Sequence, residues 1–351
     1  MFGSRKSNQF IGVDIGESAV KLVQLERNGQ KLTVQKVAIE PLHRGLFVEG
    51  QILDPEQIGS IIENTLKQNK FTAKQAISCV NYSDVISKRL MVRADLRDRE
   101  LEQWIEFEVD KFVPFPVADL NIDYQLIGDK TDNNEREVQV VACRKKTIDA
   151  LSACVEFSSL TPVSIDIVHH AFRRASAPVV ESMAGGGISD LTAIVDVGMS
   201  SMRFYVFDGD AMIYQREEAF GGGILIDDIS SEYSMSEDKA HLAIYRKQLP
   251  ASYREKVLKP YVKTMLKEID RGILSFESTG MDGQVARILL AGGSARVGGL
   301  AKILNKRVRL DVKLLDSTSY LKLHKSVDAK TLRSQAPQIA LACGLAMWTQ
   351  D

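Results

Sequence analysis

Residues 9–25 read Q-F-I-G-V-D-I-G-E-S-A-V-K-L-V-Q-L, and the same arrangement returns at residues 191–207 as L-T-A-I-V-D-V-G-M-S-S-M-R-F-Y-V-F. In each copy an apolar strand runs into Asp-x-Gly, and a second strand leaves the turn. The aspartates are Asp14 and Asp196, and the turn glycines are Gly16 and Gly198. A single Asp-x-Gly between strands is ordinary hairpin chemistry. Two copies far apart in one chain predict two similar half-structures facing a cleft. A glycine turn lets backbone N–H groups come close to an anion. Hydroxyls follow each turn, at Ser18 and at Ser200 and Ser201. An aspartate ending a buried strand can hold a hydrated Mg2+ through its waters.

Two further glycine elements belong with this pair. Residues 287–300, R-I-L-L-A-G-G-S-A-R-V-G-G-L, take a buried strand straight into Gly292, Gly293 and Ser294. Bare backbone at a strand's carboxyl end suits close approach by a flat or charged ligand. In residues 220–229, F-G-G-G-I-L-I-D-D-I, the glycines Gly221, Gly222 and Gly223 lead into a helix. A long helix then starts at Pro260. On it Glu268, Arg271 and Ser275 share one face. On their spacing alone they make an exposed ion pair, worth about 0.3 kcal/mol.

The two Asp-x-Gly loops and the Gly-Gly-Ser loop, in this order, resemble the actin-like ATPase superfamily of actin, sugar kinases, DnaK-type chaperones and FtsA. There they correspond to a first phosphate loop, a second phosphate loop and an adenosine loop. Residues 338–346, Q-I-A-L-A-C-G-L-A, are similar to its closing helix, where small residues permit tight packing. Over essentially its full length the chain resembles the PilM family, the FtsA-like proteins of type IV pilus assembly. The resemblance implies an α/β, actin-like (ribonuclease H-like) two-lobed ATPase fold with an FtsA-type inserted subdomain. It implies ATP or ADP with Mg2+ in the cleft. Asp14 and Asp196 would stand on the metal side, and Gly16, Ser18, Lys21, Gly198, Ser200, Ser201, Gly221, Gly222 and Gly223 around the phosphates. Gly292, Gly293 and Ser294 would meet the adenosine. The chaperone branch holds ribose and adenine with a Glu-x-x-Lys-x-x-x-Ser pattern. Glu268, Arg271 and Ser275 are similar to it, so that role and the exposed ion pair both stay open.

The chain departs from the family pattern in two places. Glu17 follows the first turn glycine where the superfamily has Ser or Thr, and Ile226 replaces a threonine in the Gly-rich turn. A carboxylate beside triphosphate oxygens is unfavourable unless it points away or a metal lies between. Hydrolysis also needs a group that orients water in line with the terminal phosphate. The second loop offers no Gln, Glu or His for this, so nucleotide binding is better supported than turnover. A small-molecule kinase of the same superfamily would need an acidic base beside a substrate pocket, and none is visible. A scaffold that keeps the fold with a vestigial cleft is the third reading.

Composition and pattern organise the rest. The expected units are residues 1–87 (first lobe, first part), 88–166 (inserted subdomain), 167–189 (return to the first lobe and connection), 190–333 (second lobe) and 334–351 (closing helix). The insert reads strand-helix-strand-strand-helix-strand, and residues 163–167 return to the first lobe. Its charged helix stops at K-F-V-P-F-P, residues 111–116, where two prolines fix an extended path carrying two phenylalanines. This is either a rigid helix stop with both aromatics in the core, or one wall of a peptide groove with Lys88, Arg89 and Arg93 nearby. The family resemblance implies the second for Lys111, Phe112, Pro114 and Phe115, in a groove between insert and first lobe. The occupant it implies is the cytoplasmic N-terminal peptide of the membrane protein PilN.

The net charge of −1 argues against a nucleic-acid binder. The four cysteines, Cys79, Cys143, Cys154 and Cys343, sit in apolar patterns without metal spacing, as buried thiols in a reducing cytoplasm would. The His169–His170 pair reads as structural. Apolar runs are strand-length, well short of the roughly 20 residues of a membrane span. The first eight residues lack a signal-peptide core, and no amphipathic tail follows the closing helix. The expected location is therefore cytoplasmic, at the inner membrane only through a partner. The family's part in pilus biogenesis and twitching motility adds other platform proteins and motor ATPases as candidate partners, which no residue here identifies.

Overall fold

The computed structural model describes residues 8–43, 45–48, 50–183, 190–246, 248–297, 299–307 and 310–349. The first lobe begins with β1 (Asn8–Gly16), β2 (Ala19–Asn28) and β3 (Lys31–Pro41), followed by a small hairpin of β4 (Phe47–Val48) and β5 (Gln51–Ile52). Helix α1 (Pro55–Gln68) starts where the sequence signals it. The Asp54 carboxylate accepts from the Gln57 N–H at 2.8 Å, and proline takes the first helical position. Its face of Ile58, Ile62 and Leu66 is buried on the sheet, and β6 (Gln75–Val80) follows.

The inserted unit contains β7 (Val85–Arg93), α2 (Asp98–Asp110), β8 (Leu120–Ile127) and β9 (Glu135–Arg144). Its antiparallel sheet has the order β7-β9-β8. Leu101, Ile105 and Val109 of α2 pack on Val138 and Val140 of β9. One helix expected in the insert packs elsewhere, and the strand after it returns to the first lobe, as expected of residues 163–167. Cys154 and Val155 of α3 (Lys145–Phe157) are buried in the first-lobe core with Ile58 and Ile62. Strand β10 (Thr161–Ile167) pairs in parallel with β6. The chain then enters α4 (Val168–Ser182). The connection expected at residues 184–187 lies outside the described residues.

The second lobe repeats the plan. It contains β11 (Asp190–Val197), β12 (Met202–Asp208), β13 (Ala211–Glu218), α5 (Gly222–Tyr233), α6 (Glu237–Arg246), α7 (Lys259–Glu277), β14 (Gln284–Ala291), α8 (Leu300–Arg307) and β15 (Asp311–Leu314). Its sheet runs β13-β12-β11-β14-β15. The first-lobe sheet runs β10-β6-β1-β2-β3, with β16 (Lys322–Leu323) added beside β3. Read from its third strand, each sheet has two antiparallel pairings followed by two parallel ones. The duplication expected from the two Asp-x-Gly segments is a duplication of topology.

Helix α9 (Ala329–Ala346) closes the chain. It lies so close to the first sheet that a Cβ on Gly12 would sit 1.9 Å from the Ala342 carbonyl oxygen. Across the lobes, Val168, Phe172 and Val179 of α4 share one core with Ile194, Tyr205 and Leu289 of the second sheet. This apolar seam holds the floor of the cleft.

The His169–His170 pair sits at the head of α4. His170 Nδ1 lies 3.3 Å from Asp166 Oδ1, and Asp166 also pairs with Arg174. His169 packs edge-on against Tyr82, and burial pushes its pKa down to about 3. A base held neutral in the fold but free to protonate near pH 6.5 when unfolded lowers stability as pH falls from 6.5 toward 3. The limiting slope is about 1.4 kcal/mol per pH unit. Denaturant midpoints at pH 7 and pH 5 should differ by about 2 kcal/mol on this account. His169→Phe, which cannot titrate, should remove most of that difference. All four cysteines are free. Burial lifts the thiols of Cys154 and Cys343 to about 12, so they are poor nucleophiles.

Candidate nucleotide cleft

Directly opposed residues of an antiparallel pair project to the same face. In the first hairpin Asp14 stands opposite Lys21, with Nζ 3.2 Å from Oδ2. In the second, Asp196 stands opposite Arg203, with Nη1 3.7 Å from Oδ2. Each half thus presents one buried aspartate paired with one cation at the same register. Glu217, opposite Arg203 on β13, comes within 3.1 Å of its Nε without hydrogen-bond geometry, so that buried nitrogen has no hydrogen-bond partner.

The two pairs feel each other across the cleft. Burial raises the Asp196 pKa; Arg203 opposes this and Asp14 adds to it. Burial works against the charge on Arg203, but Asp196, Tyr205, Glu217 and Glu17 more than offset it and raise its pKa. The cleft between them has a volume of about 1660 Å³. Asp14, Gly16, Ser18, Lys21, Asp196, Gly198, Ser200, Ser201, Gly222, Gly292, Gly293 and Ser294, all expected at a ligand, line it.

Hydrogen bonds fix the second-lobe loops against one another. Gly222 N–H donates to the Gly198 carbonyl at 2.9 Å, and Gly223 N–H to the Met199 carbonyl at 2.8 Å. The first amides of α5 therefore hold the second loop, and Gly221 and Gly223 are not among the residues that line the cleft. Gly292 has φ +88°, and a Cβ there would meet the Val197 carbonyl oxygen at 2.4 Å and Asp196 Oδ1 at 2.6 Å. Only glycine fits beside the aspartate. The same loop is tied to the closing helix through Gly292 N–H to Pro337 O (2.9 Å) and Arg296 Nη1 to Gln338 Oε1 (2.7 Å).

Glu268, Arg271 and Ser275 do not line the cleft. Helix α7 buries Tyr261, Met265, Ile269 and Phe276 instead, and Glu268 meets Arg271 in the exposed ion pair that the spacing also allowed. Two residues that the motifs did not single out are central to the cleft, Arg203 and Glu217. Superposing the two hairpin sequences exposes Arg203, which stands at the same offset from Asp196 as Lys21 does from Asp14.

Glu17 neither points away nor stands alone. Its Oε1 accepts from Ser200 Oγ at 2.7 Å, which joins the tip of the first loop to the tip of the second.

The residues fit an anionic ligand with Mg2+. Two cations, one with an unpartnered N–H, face two carboxylates. Among the described residues no three His, Cys, Asp or Glu groups gather as a metal cage. Two carboxylates at the wall of the cleft suit a metal bound mainly by waters and ligand phosphates.

A second, smaller cavity of about 190 Å³ lies where the insert meets the first lobe, lined by Ser83, Asp84, Ile86, Phe115, Leu120, Ala142, Cys143 and Arg144. The Arg144 guanidinium stands 5.3 Å from the centre of the Phe115 ring. Of the K-F-V-P-F-P stretch, Phe115 lines this cavity. Phe112 packs against the insert core beneath Lys88, and Lys111 covers Phe107 and pairs with Glu108.

The model of the family described as type IV pilus assembly protein PilM matches residues 12–350. Among solved structures, a "PilM-PilN type IV pilus biogenesis complex" aligns over 96% of this chain and 97% of its own, at 20% identity and a TM-score of 0.77. The ethanolamine utilization protein EutJ from Carboxydothermus hydrogenoformans aligns over 97% of this chain and 89% of its own, at 14% identity and a TM-score of 0.56. The fold is the actin-like one, and the match of the family model over nearly the whole sequence assigns the chain to the PilM family of type IV pilus assembly proteins.

Proposed function

We propose that this chain is a nucleotide-binding adaptor of the type IV pilus inner-membrane platform, which binds an adenine nucleotide with Mg2+ and docks the cytoplasmic N-terminal peptide of PilN. The observation that carries the nucleotide half is the pair of facing hairpins, Asp14–Lys21 and Asp196–Arg203, at one cleft. Lys21 and Arg203 would hold the phosphates, and Asp14 and Asp196 would orient the waters of the metal. Bound Mg2+ would neutralise phosphate charge. Binding across the cleft favours the closed arrangement of the lobes, because only that arrangement makes both sets of contacts. The second loop, residues 196–201, carries no Gln, Glu or His to orient a water, so the proposal is a binding switch with at most slow hydrolysis.

The peptide half is supported by the family and by the cavity beside Phe115, where an aromatic wall, Arg144 and the partly buried Asp84 converge. The proposed location is the cytoplasmic face of the inner membrane, reached through the partner. Among the described residues no helix is long and apolar enough to cross a membrane. Pilus biogenesis and twitching motility would depend on that docking.

Calorimetry tests both halves. Asp14→Ala should weaken binding of Mg·ADP and Mg·ATP by about 100-fold, equivalent to about 2.7 kcal/mol. Phe115→Ala should weaken a synthetic PilN N-terminal peptide by about tenfold, typical of a truncated anchor, while leaving nucleotide binding intact. Nucleotide binding that is indifferent to Asp14→Ala would put the ligand elsewhere. Peptide binding that is indifferent to Phe115→Ala would do the same for the groove.

A further inference from the structure

We propose that Glu17 makes the cleft select a nucleoside diphosphate over a triphosphate by standing in the place of the terminal phosphoryl group. The proposal deepens the nucleotide reading above and rests on it. The Glu17 carboxylate is half-buried and bridges the two lobes through Ser200 Oγ at 2.7 Å. It is also among the groups that sustain the charge of Arg203. The first loop's carboxylate thus takes a hydroxyl donor from the second lobe, a partner a phosphoryl oxygen would seek, and stands within electrostatic reach of Arg203.

The direction of the phosphate chain follows from the loops. Gly292 abuts Asp196, and Ser294 Oγ reaches the Gly198 carbonyl at 3.4 Å, so the third loop meets the base of the second. Glu17 and Ser200 lie in the turns at the tips, between β1 and β2 and between β11 and β12. A phosphate chain entering from the third loop meets the Asp196–Arg203 pair before the bridge, and Lys21 Nζ stands against Gly16, next to Glu17. A diphosphate can take those cations and leave the bridge closed. A triphosphate must break it. The Ser200 hydroxyl has one proton, which it donates either to Glu17 or to a phosphoryl oxygen. The freed carboxylate must then lie beside the most charged end of the ligand, where like charges repel. The superfamily's small hydroxyl residue at this position carries neither penalty.

The experiment is calorimetry of Mg·ADP and Mg·ATP with the full chain, as wild type, Glu17→Ala and Glu17→Gln. Wild type should bind Mg·ADP at least about tenfold more tightly than Mg·ATP. Glu17→Ala should bring the two within about threefold of each other, by tightening Mg·ATP and leaving Mg·ADP nearly unchanged. Glu17→Gln keeps the size and the acceptor oxygen but not the charge, and should recover part of the ATP affinity. Far-UV circular dichroism of the variants confirms that they fold. A wild type that prefers ATP, or a preference unchanged by Glu17→Ala, overturns the role of Glu17 and leaves the nucleotide reading standing. Folded wild type and variants that bind neither nucleotide overturn both.

Discussion

Replacing Gly344 by alanine should destabilise the protein by about 3 kcal/mol, at the upper end of what a single added methyl does in a packed interior. By propensity alone the change would help, since alanine is favoured over glycine inside a helix by about 1 kcal/mol. Contact decides the sign. A Cβ on Gly344 would lie 1.9 Å from the Ala171 carbonyl oxygen and 2.6 Å from its carbon, both backbone atoms of α4. No rotamer relieves a clash with backbone, so α9 must move off α4. Gly12 on β1 stops α9 from retreating toward the sheet, because its own Cβ position is already filled by the Ala342 carbonyl. The helix is gripped on both sides, and Arg174 Nε adds a 2.9 Å hydrogen bond to the Gly344 carbonyl. The measurement is the urea midpoint, with Gly293→Ala as control. Gly293 has helical backbone angles, and the nearest atom to a Cβ there is 3.9 Å away. The control should change stability by less than about 0.5 kcal/mol. Equal, small effects at both positions would mean that α9 is not tightly held.

The duplicated plan was legible because it is written locally. Asp14 and Asp196 each end an apolar strand and precede a glycine, and such a pattern survives without knowledge of the rest of the chain. The topology repeats with it. Register is not written in the Asp-x-Gly motif, so the resemblance points to Lys21 but not to Arg203, which stands opposite Asp196 as Lys21 stands opposite Asp14. Helical faces show a different gap. Spacing put Glu268, Arg271 and Ser275 on one side of α7, but spacing cannot say which side a helix turns to the cleft. That is decided by Tyr261, Met265, Ile269 and Phe276, which claim the core, with Gly272 packed against the Phe204 ring. Helix α3 went astray for a related reason. Its apolar face of Leu151, Cys154 and Val155 is equally suited to an insert or a lobe, and only the partner, α1, distinguishes them. Of the proline-fixed stretch, the sequence yielded an aromatic pair. The structure separates Phe112, which packs against a core, from Phe115, which lines a cavity.

Arg203→Met should cost about 3–5 kcal/mol of stability at neutral pH, the range for removing one partner of a buried ion pair, and the loss should depend on pH. Asp196 is 8% exposed, and its pKa is raised, first by burial, with Arg203 as the strongest opposing influence. A carboxyl group whose folded pKa lies above its unfolded value near 3.9 contributes stability that is fully present below that value. This contribution is lost as pH rises through the folded pKa. Methionine in place of Arg203 pushes the folded pKa of Asp196 higher still. The deficit of the variant relative to wild type should therefore be small near pH 4 and grow toward neutrality. Asp196→Asn in the Arg203→Met background removes the stranded charge and should restore much of the stability at pH 7 while changing little at pH 4. Glu217 does not confuse the reading, because its side chain is 32% exposed and keeps much of its hydration when Arg203 is gone. Urea midpoints of wild type, Arg203→Met, Asp196→Asn and the double variant at the two pH values close the cycle. A deficit that is the same at both pH values, and untouched by Asp196→Asn, would mean that Arg203 serves by filling space. A deficit that grows with pH and is relieved by the asparagine would make Arg203 the group that keeps a charged aspartate in the floor of the cleft, as a metal-facing carboxylate requires.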